Sequence, residues 1–572
     1  MLKKCLVQCK WWVLSYILMG FIIQLLNQLG IIVFQNILDA AAADRTEATK
    51  FIIIYGIILG GSAILNYLDE YPGVYLSNSI SENLKIMALK KIAKIDYQAY
   101  QEIGTGQMIK VIENGAAAGN GILFSFFLRT LHELLPTLIF SLLFISFYNS
   151  GLMLLIAGGY AVIFVITNLL LRYLYTIKST ILKEQEKMSR YSIRGFMELV
   201  VFRTNGRYDK EIDKLSQTAR TIINKNAQLK MIHEAFFAIF ELFITIIKIF
   251  VIIFGVRSMI RGETTLGVVV ALFMFIDKIY SPIAIFNILF VDYKLNQVTY
   301  RRLEEFIHAP EDKNLDSGIE VMQVQGHIEF RNVSFHYGSV RILHNLSFSI
   351  EPGKSVALVG LSGSGKSTIV KLIAGLLKKS GGHIELDGTE IDKLQLNRYY
   401  EHISYLSQDT PIFDTTIRGN IAFDNAMSDE EIYRLLEKVH LKDKIASLQE
   451  GLDALVGEKG VKLSGGERQR LAFARILAQK RNLIIIDEAV SALDPITEKS
   501  IMETVFKEFR DKTVIIIAHR LECIKNVDKI IVVKHGRVVG EGQFEDLIRH
   551  CDSFKDLWFK DGLSRLKINE YI

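Results

Sequence analysis

The sequence predicts a membrane α-helical domain of six transmembrane helices followed by an α/β domain of the phosphate-binding-loop (P-loop) NTPase type. Three observations carry this expectation. Half of the residues are hydrophobic and the mean hydropathy is +0.25, high for a soluble protein, with the apolar residues crowded into the N-terminal half. The run GLSGSGKST at residues 360–368 stands between an apolar stretch, SVALV, and a helical one, IVKLI, which is the strand, glycine-rich loop, helix context of a phosphate cradle. Further on, LIIIDEA at residues 483–489 reads as a buried strand ending in two carboxylates.

The membrane part is justified segment by segment. A bilayer core of ~30 Å needs about 20 apolar residues per helix. Six stretches qualify: residues 11–35, 51–76, 134–147, 152–175, 236–256 and 266–290. The third is the shortest and can extend backward through residues 121–131. Lys3, Lys4 and Lys10 precede the first stretch, and the long loops near 80–120 and 176–232 are rich in Lys and Arg. The alternate loops near 39–50, 148–151 and 257–265 are short and carry few charges. By the excess of basic residues on the inner side, both termini and the C-terminal domain are expected in the cytosol of a multi-pass plasma (inner) membrane protein. The N-terminal apolar run is too long for a signal peptide and continues as the first span. The expected division is residues 1–303 for the membrane domain, a charged linker at 304–325, and a nucleotide-binding domain at 326–572 that opens with the strand HIEFRNVSF.

In the P-loop, Gly360, Gly363 and Gly365, with Ser362, Ser364 and Thr368 between and after them, let backbone N–H groups close around phosphates, and the helix N-terminus adds the positive end of its dipole. Lys366 can reach the β- and γ-phosphates of ATP, and the Ser367 hydroxyl can ligate Mg2+. Asp487 is placed to hold magnesium through water and Glu488 to polarise the attacking water. Between these motifs lies LSGGERQR, residues 463–470, and on these three motifs the chain resembles the ATP-binding cassette (ABC) family.

The resemblance implies more. Ser464, Gly465 and Gly466 would contact the γ-phosphate held by a partner cassette, so that a working unit needs a second half-transporter, in a homodimer or a heterodimer. Tyr337 in FHYG resembles the aromatic that stacks on adenine, and Gln408 in YLSQD the residue that links magnesium to the membrane domain. Asp494 in SALD resembles the residue that crosses the dimer interface, and His519 in IAHR the switch histidine that senses the γ-phosphate. Glu467 departs from the family's more frequent glutamine, a position expected to matter little. RGETTLG at 261–267 and VGEKG at 456–460 resemble stretches of exporter-type half-transporters, and short coupling helices are expected near 96–102 and 200–208. The implied activity is ATP-driven transport, with export of a peptide, lipid or drug-like small molecule as the leading reading. An importer on the same fold, or a non-transporting regulatory ATPase, is the alternative.

Other features exclude more than they assign. A net charge of +5 suits loops facing anionic lipid and gives no case for nucleic acid. The four cysteines, Cys5, Cys9, Cys523 and Cys551, form no convincing ligand set and are expected reduced. No peptidase precedes the first span, so trimming of a leader peptide is not expected. Lys248 and Asp277 fall at similar depth on consecutive spans by the 1.5 Å rise per residue, so they are expected to pair or to line the translocation path.

Overall fold

The computed structural model describes residues 1–43, 45–103, 105–148, 150–197, 199–408, 411–423, 425–457, 462–488, 492–518 and 520–559. The chain divides into two compact units, Met1–Ala93 with Ile103–Ala309, and Lys94–Glu102 with Pro310–Ile572.

The first unit is helical throughout. A short helix α1 (Leu2–Gln8) leads into α2 (Lys10–Ala43) and α3 (Arg45–Ile92); α4 (Tyr97–Ile103), next in the chain, lies almost wholly in the second unit. Next, α5 (Thr105–Asn120) continues through two π-helical stretches, Gly121–Leu128 and Thr130–Leu134, into α6 (Leu135–Tyr148). The unit is completed by α7 (Ser150–Met197), α8 (Leu199–Thr204), α9 (Tyr208–Ile260) and α10 (Leu266–Ile307). The six expected spans fall on α2, α3, the α5-to-α6 run, α7, α9 and α10. Among the described residues, Lys10–Ala42, Glu47–Ile92, Met108–Tyr148 and Tyr208–Ile260 are long and apolar enough to cross a membrane. The backward extension of the third span is therefore real helix, although wound more loosely than an α-helix over much of its length. The helices run far beyond ~30 Å: the 53 residues of α9 span about 80 Å at 1.5 Å each. The short helices α4 and α8 occupy the two expected coupling positions.

Lys248 of α9 and Asp277 of α10 form an ion pair, and the Lys248 ammonium also lies 4.6 Å from the centre of the Phe273 ring. Their helices share a core of Val251, Ile247, Phe275 and Ile276. The pairing expected from helical rise is thus present.

The second unit is a two-sheet α/β domain. A four-stranded antiparallel sheet has the order β2 (Val340–Ile350), β1 (Ile328–Tyr337), β4 (Gly381–Leu386), β5 (Thr389–Glu390). The six-stranded sheet runs β10 (Arg537–Gly542), β9 (Lys529–Lys534), β3 (Ser355–Val359), β8 (Thr513–Ile517), β7 (Leu483–Asp487), β6 (Ile403–Leu406). Its strands are parallel from β9 to β6, with β10 antiparallel at the edge. The central strands β3, β7 and β8 read as unbroken Val/Ile/Leu runs because both faces are covered. One face packs with α11 (Lys366–Ile373), α12 (Leu396–Tyr400) and the antiparallel sheet. The other covers α13 (Ile417–Ala422), α14 (Asp429–Lys438), α15 (Lys442–Ala446), α16 (Gly465–Gln479), α17 (Pro495–Glu508) and α18 (Phe544–His550). The segment Lys94–Glu102, which holds most of α4, belongs to this unit. Ile95 bridges Glu311, Asp96 N donates to Pro310 O, and Asp312 N donates to Lys94 O, while Tyr97 packs on the α11-side core.

Breaking an ion pair one partner at a time leaves an uncompensated charge in apolar surroundings. Lys248→Met and Asp277→Asn are each expected to lower the thermal unfolding midpoint of the chain in lipid. The double substitution should lower it by less than their sum, and strictly additive losses would show that the pair carries no coupling.

Candidate nucleotide site

Parallel β3 and β7 end at the same edge of the sheet, separated by β8, and this edge carries the chemistry. After β3 the chain turns through Gly360, whose φ of +154° is open to glycine, and a Cβ there would meet Val533 O at 2.1 Å. Gly365 caps α11 in the left-handed region. Ser362, Gly363, Ser364 and Thr368 complete the loop and the first turn of the helix. The Lys366 side chain is folded over the loop, its Nζ donating to Gly360 O at 2.9 Å and Leu361 O at 3.1 Å. Burial holds this ammonium below its ordinary pKa, and the carboxylates of Glu488 and Asp487 oppose the shift.

At the end of β7, Asp487 is only 2% exposed. Ser367 Oγ donates to its Oδ1 at 3.0 Å and Tyr405 Oη to its Oδ2 at 3.3 Å. Burial raises the carboxyl above its usual range, and the two hydroxyls pull it part of the way back. Glu488 follows with φ +54°, a strained conformation for a non-glycine residue that turns its carboxylate out of the strand line. Gln408 Nε2 donates to Glu488 Oε2 at 2.8 Å. Oxygen donors on Ser367, Asp487 and Gln408 form a set that suits a hard cation such as magnesium. Tyr337 ends β1, stands edge-on to Phe335 at 4.8 Å and has its hydroxyl pushed upward by burial.

The remaining candidates gather elsewhere. Ser464 caps α16: its Oγ accepts from Glu467 N at 3.3 Å while Glu467 Oε2 accepts from Ser464 N at 2.7 Å. The departure from glutamine at 467 therefore closes a reciprocal capping box, and the backbone bond from Ser464 holds the Glu467 carboxyl below its ordinary value. Gly465 and Gly466 approach Ala492, whose N donates to Gln469 Oε1 at 3.0 Å. Asp494 caps α17 by accepting from Ile496 N and Thr497 N. His519 and residues 458–460 of the VGEKG run lie outside the described residues. Next to His519, Arg520 Nη1 meets Glu498 at 2.6 Å, and that carboxylate is itself 2% exposed. Sequence reading missed Tyr405, Gln469, Glu498 and Arg520, because each is defined by a partner distant in the chain.

The ABC transporter family pattern matches residues 343–491, and the ABC transporter transmembrane region matches residues 13–282. The chain belongs to the ABC transporter family. Among its relatives, Heavy metal tolerance factor 1 of Caenorhabditis elegans is 28% identical over 515 residues, which make up 87% of this chain and 63% of that protein. The mitochondrial iron-sulfur clusters transporter ATM1 of Candida glabrata is 28% identical over 553 residues, 92% of this chain and 74% of that one. The chain thus spans a little under two thirds of the nematode protein. A solved bacterial Atm1-family ABC exporter with ATP bound shares its fold at a TM-score of 0.86 and 23% identity, over 96% of this chain and 99% of that one. This ABC transporter is therefore a multi-pass membrane protein that joins an ABC transporter transmembrane region to an ATP-binding cassette in one chain.

The capping box gives a direct check. Glu467→Ala should cost about 1 kcal/mol of cassette stability, read as a lower unfolding midpoint, whereas Glu467→Gln, which keeps an acceptor for Ser464 N, should stay within ~0.5 kcal/mol of wild type.

Proposed function

We propose that the chain is one half of a dimeric exporter, in which ATP closes two cassettes over each other and hydrolysis separates them again. The observation that carries this reading is the division of the site residues into two groups. Lys366, Ser367, Gln408, Asp487 and Glu488 converge around one carboxylate pair, whereas Ser464, Gly465, Gly466 and Asp494 gather around Ala492. A second copy, or a related half-transporter, would bring its Ala492-side group to the first chain's phosphates.

In this reading Tyr337 stacks on adenine, and the N–H groups of residues 360–368 together with the start of α11 cradle the phosphates. Lys366 turns from the loop carbonyls to the β- and γ-phosphates. Ser367, Asp487 and Gln408 hold magnesium, which when bound neutralises charge developing on the phosphate oxygens. Glu488, steadied by Gln408, orients and polarises the water that attacks in line. His519 senses the γ-phosphate. Asp494 reaches across the interface, and Ser464, Gly465 and Gly466 close over the nucleotide of the other half. The helices α4 and α8 carry cassette motion to the spans, with both termini and the cassette in the cytosol of a plasma membrane.

The cargo is a peptide, a lipid or a drug-like molecule. The relatives are named for heavy-metal tolerance and for iron–sulfur clusters, so similarity at this level does not set the cargo.

The test is ATPase activity of the purified chain in lipid, wild type beside Glu488→Gln, against a panel of candidate cargoes. The variant should retain ATP binding while losing at least ~10²-fold in turnover, and a compound that stimulates wild type becomes the cargo lead. Undiminished turnover in Glu488→Gln would remove Glu488 from the chemistry. An inactive wild type would favour a heterodimer with a second half-transporter.

A further inference from the structure

The cassette buries a cation that belongs to neither group of site residues. Arg475 stands on α16, eleven residues after the Ser464 cap, or about 16 Å along the helix at 1.5 Å per residue. Its side chain is buried and reaches one short segment, residues 411–423. Nε donates to Asn420 O at 2.9 Å, Nη1 to Pro411 O at 2.9 Å and Nη2 to Asn420 Oδ1 at 3.0 Å. The rings of Phe413 and Phe423 flank the guanidinium, with their centres 5.1 Å and 4.9 Å from its carbon. The two rings meet edge-on at 5.2 Å.

A cation so placed is costly without an anion beside it. Among the described residues Arg475 meets two backbone carbonyls and an amide oxygen, and no carboxylate. Burial pulls its pKa down to about 10, so it is still charged at neutral pH. An apolar side chain of similar length would pack under α16 without that cost. It could not hold three oxygens of one segment in fixed positions, which the planar fork of arginine does. Asn420 passes the restraint on. It is fully buried, its Oδ1 accepts from Phe413 N at 2.9 Å, and its Nδ2 donates to Phe413 O at 2.9 Å and Thr416 O at 3.1 Å.

The place of this segment in the chain gives the restraint its meaning. Pro411 comes three residues after Gln408. On the other side of Gln408, β6 is fixed to the same helix, with Ser404 Oγ donating to Gln479 Oε1 at 2.7 Å. The body of α16 thus grips the chain both before and after Gln408, while its first turn carries Ser464, Gly465 and Gly466. We propose that Arg475 is a positioning residue that keeps Gln408, on the nucleotide side of the site, in register with the Ser464 turn that serves the partner's nucleotide. This inference rests on the paired-cassette reading above and adds the link between its two groups of residues. A displacement at Gln408 is carried through Pro411 and Asn420 to the guanidinium, and along α16 to Ser464.

Arg475→Lys is the informative variant. It keeps the charge, but an ammonium lacks the fork that spans the three oxygens and the plane that lies between the rings. The full chain in lipid is compared as wild type, Arg475→Lys and Glu488→Gln, for ATP turnover and for ADP affinity. ADP has no γ-phosphate, so its affinity reports the nucleotide side alone. Turnover of Arg475→Lys should fall roughly 10-fold or more, because small displacements at a reacting centre are that costly, while ADP affinity stays within about 2-fold of wild type. Equal losses of turnover and ADP affinity would mark a merely structural role, and unchanged turnover would show no role; either result overturns the proposal. Glu488→Gln separates this inference from the reading beneath it. Full turnover in Glu488→Gln removes the hydrolytic site itself, whereas a dead Glu488→Gln beside a fully active Arg475→Lys removes only the positioning role. Should Arg475→Lys fail to fold, or wild type alone lack turnover, amide hydrogen exchange in wild type reads the same link. A non-hydrolysable ATP analogue should change protection of residues 411–423 and 463–470 together. A change in one segment without the other, or in neither, sinks the proposal.

Discussion

The cassette is organised around one buried carboxylate. Asp487 ends β7 at 2% exposure, and a charge so placed is costly unless every lone pair is met. Its two oxygens are met by hydroxyls from opposite sides, Ser367 from the first turn of α11 and Tyr405 from β6. Those donors are in position only because β6 pairs with β7 in register, Tyr405 against Ile485, and because β3 delivers the P-loop to the same edge. Sheet order, loop strain and helix start are thus three conditions on one carboxylate. The positive φ of Glu488 follows: the residue after a fully buried strand can bring its side chain into the site only by leaving the strand's course.

What was legible in the sequence is what local chemistry dictates. GLSGSGKST needs its own neighbours to form a loop, and LIIID is buried on both faces and so reads as a continuous apolar run. The spans were legible because a bilayer imposes length and apolarity on consecutive residues. The Lys248–Asp277 pair was legible because helical rise alone sets the two residues level. Tyr405 was not: it precedes a recognisable Gln408, and nothing in its own neighbourhood says that its hydroxyl reaches a carboxylate 82 positions on. The same is true of the buried Glu498–Arg520 pair, which joins the start of α17 to the residue after His519.

Glu467 shows how structure changes the meaning of a departure from a family pattern. As a sequence difference it was neutral. In the fold it is one side of a capping box with Ser464, the residue that the family resemblance assigns to the partner's nucleotide. A carboxylate at that position adds negative charge near the positive end of α16, where it is favoured, and fixes the Ser464 backbone through its own N–H. The serine's Oγ meanwhile accepts from Glu467 N at a longer 3.3 Å, a bond in which the hydroxyl proton takes no part. The cap therefore fixes the Ser464 backbone through a short bond and its Oγ through a longer one.

Two side-chain contacts between helices of the membrane domain contrast with one another. Lys248 and Asp277 form an ion pair between consecutive long helices, and the ammonium also lies over the Phe273 ring. The other contact sets His132 Nε2 3.0 Å from Asp69 Oδ2, and His132 sits where the third span is wound as a π-helix rather than an α-helix. Widening the helix costs regular hydrogen-bond geometry, and in this stretch the ring is held between Tyr16 and Asp69. One contact joins two helices, and the other brings three together at one imidazole.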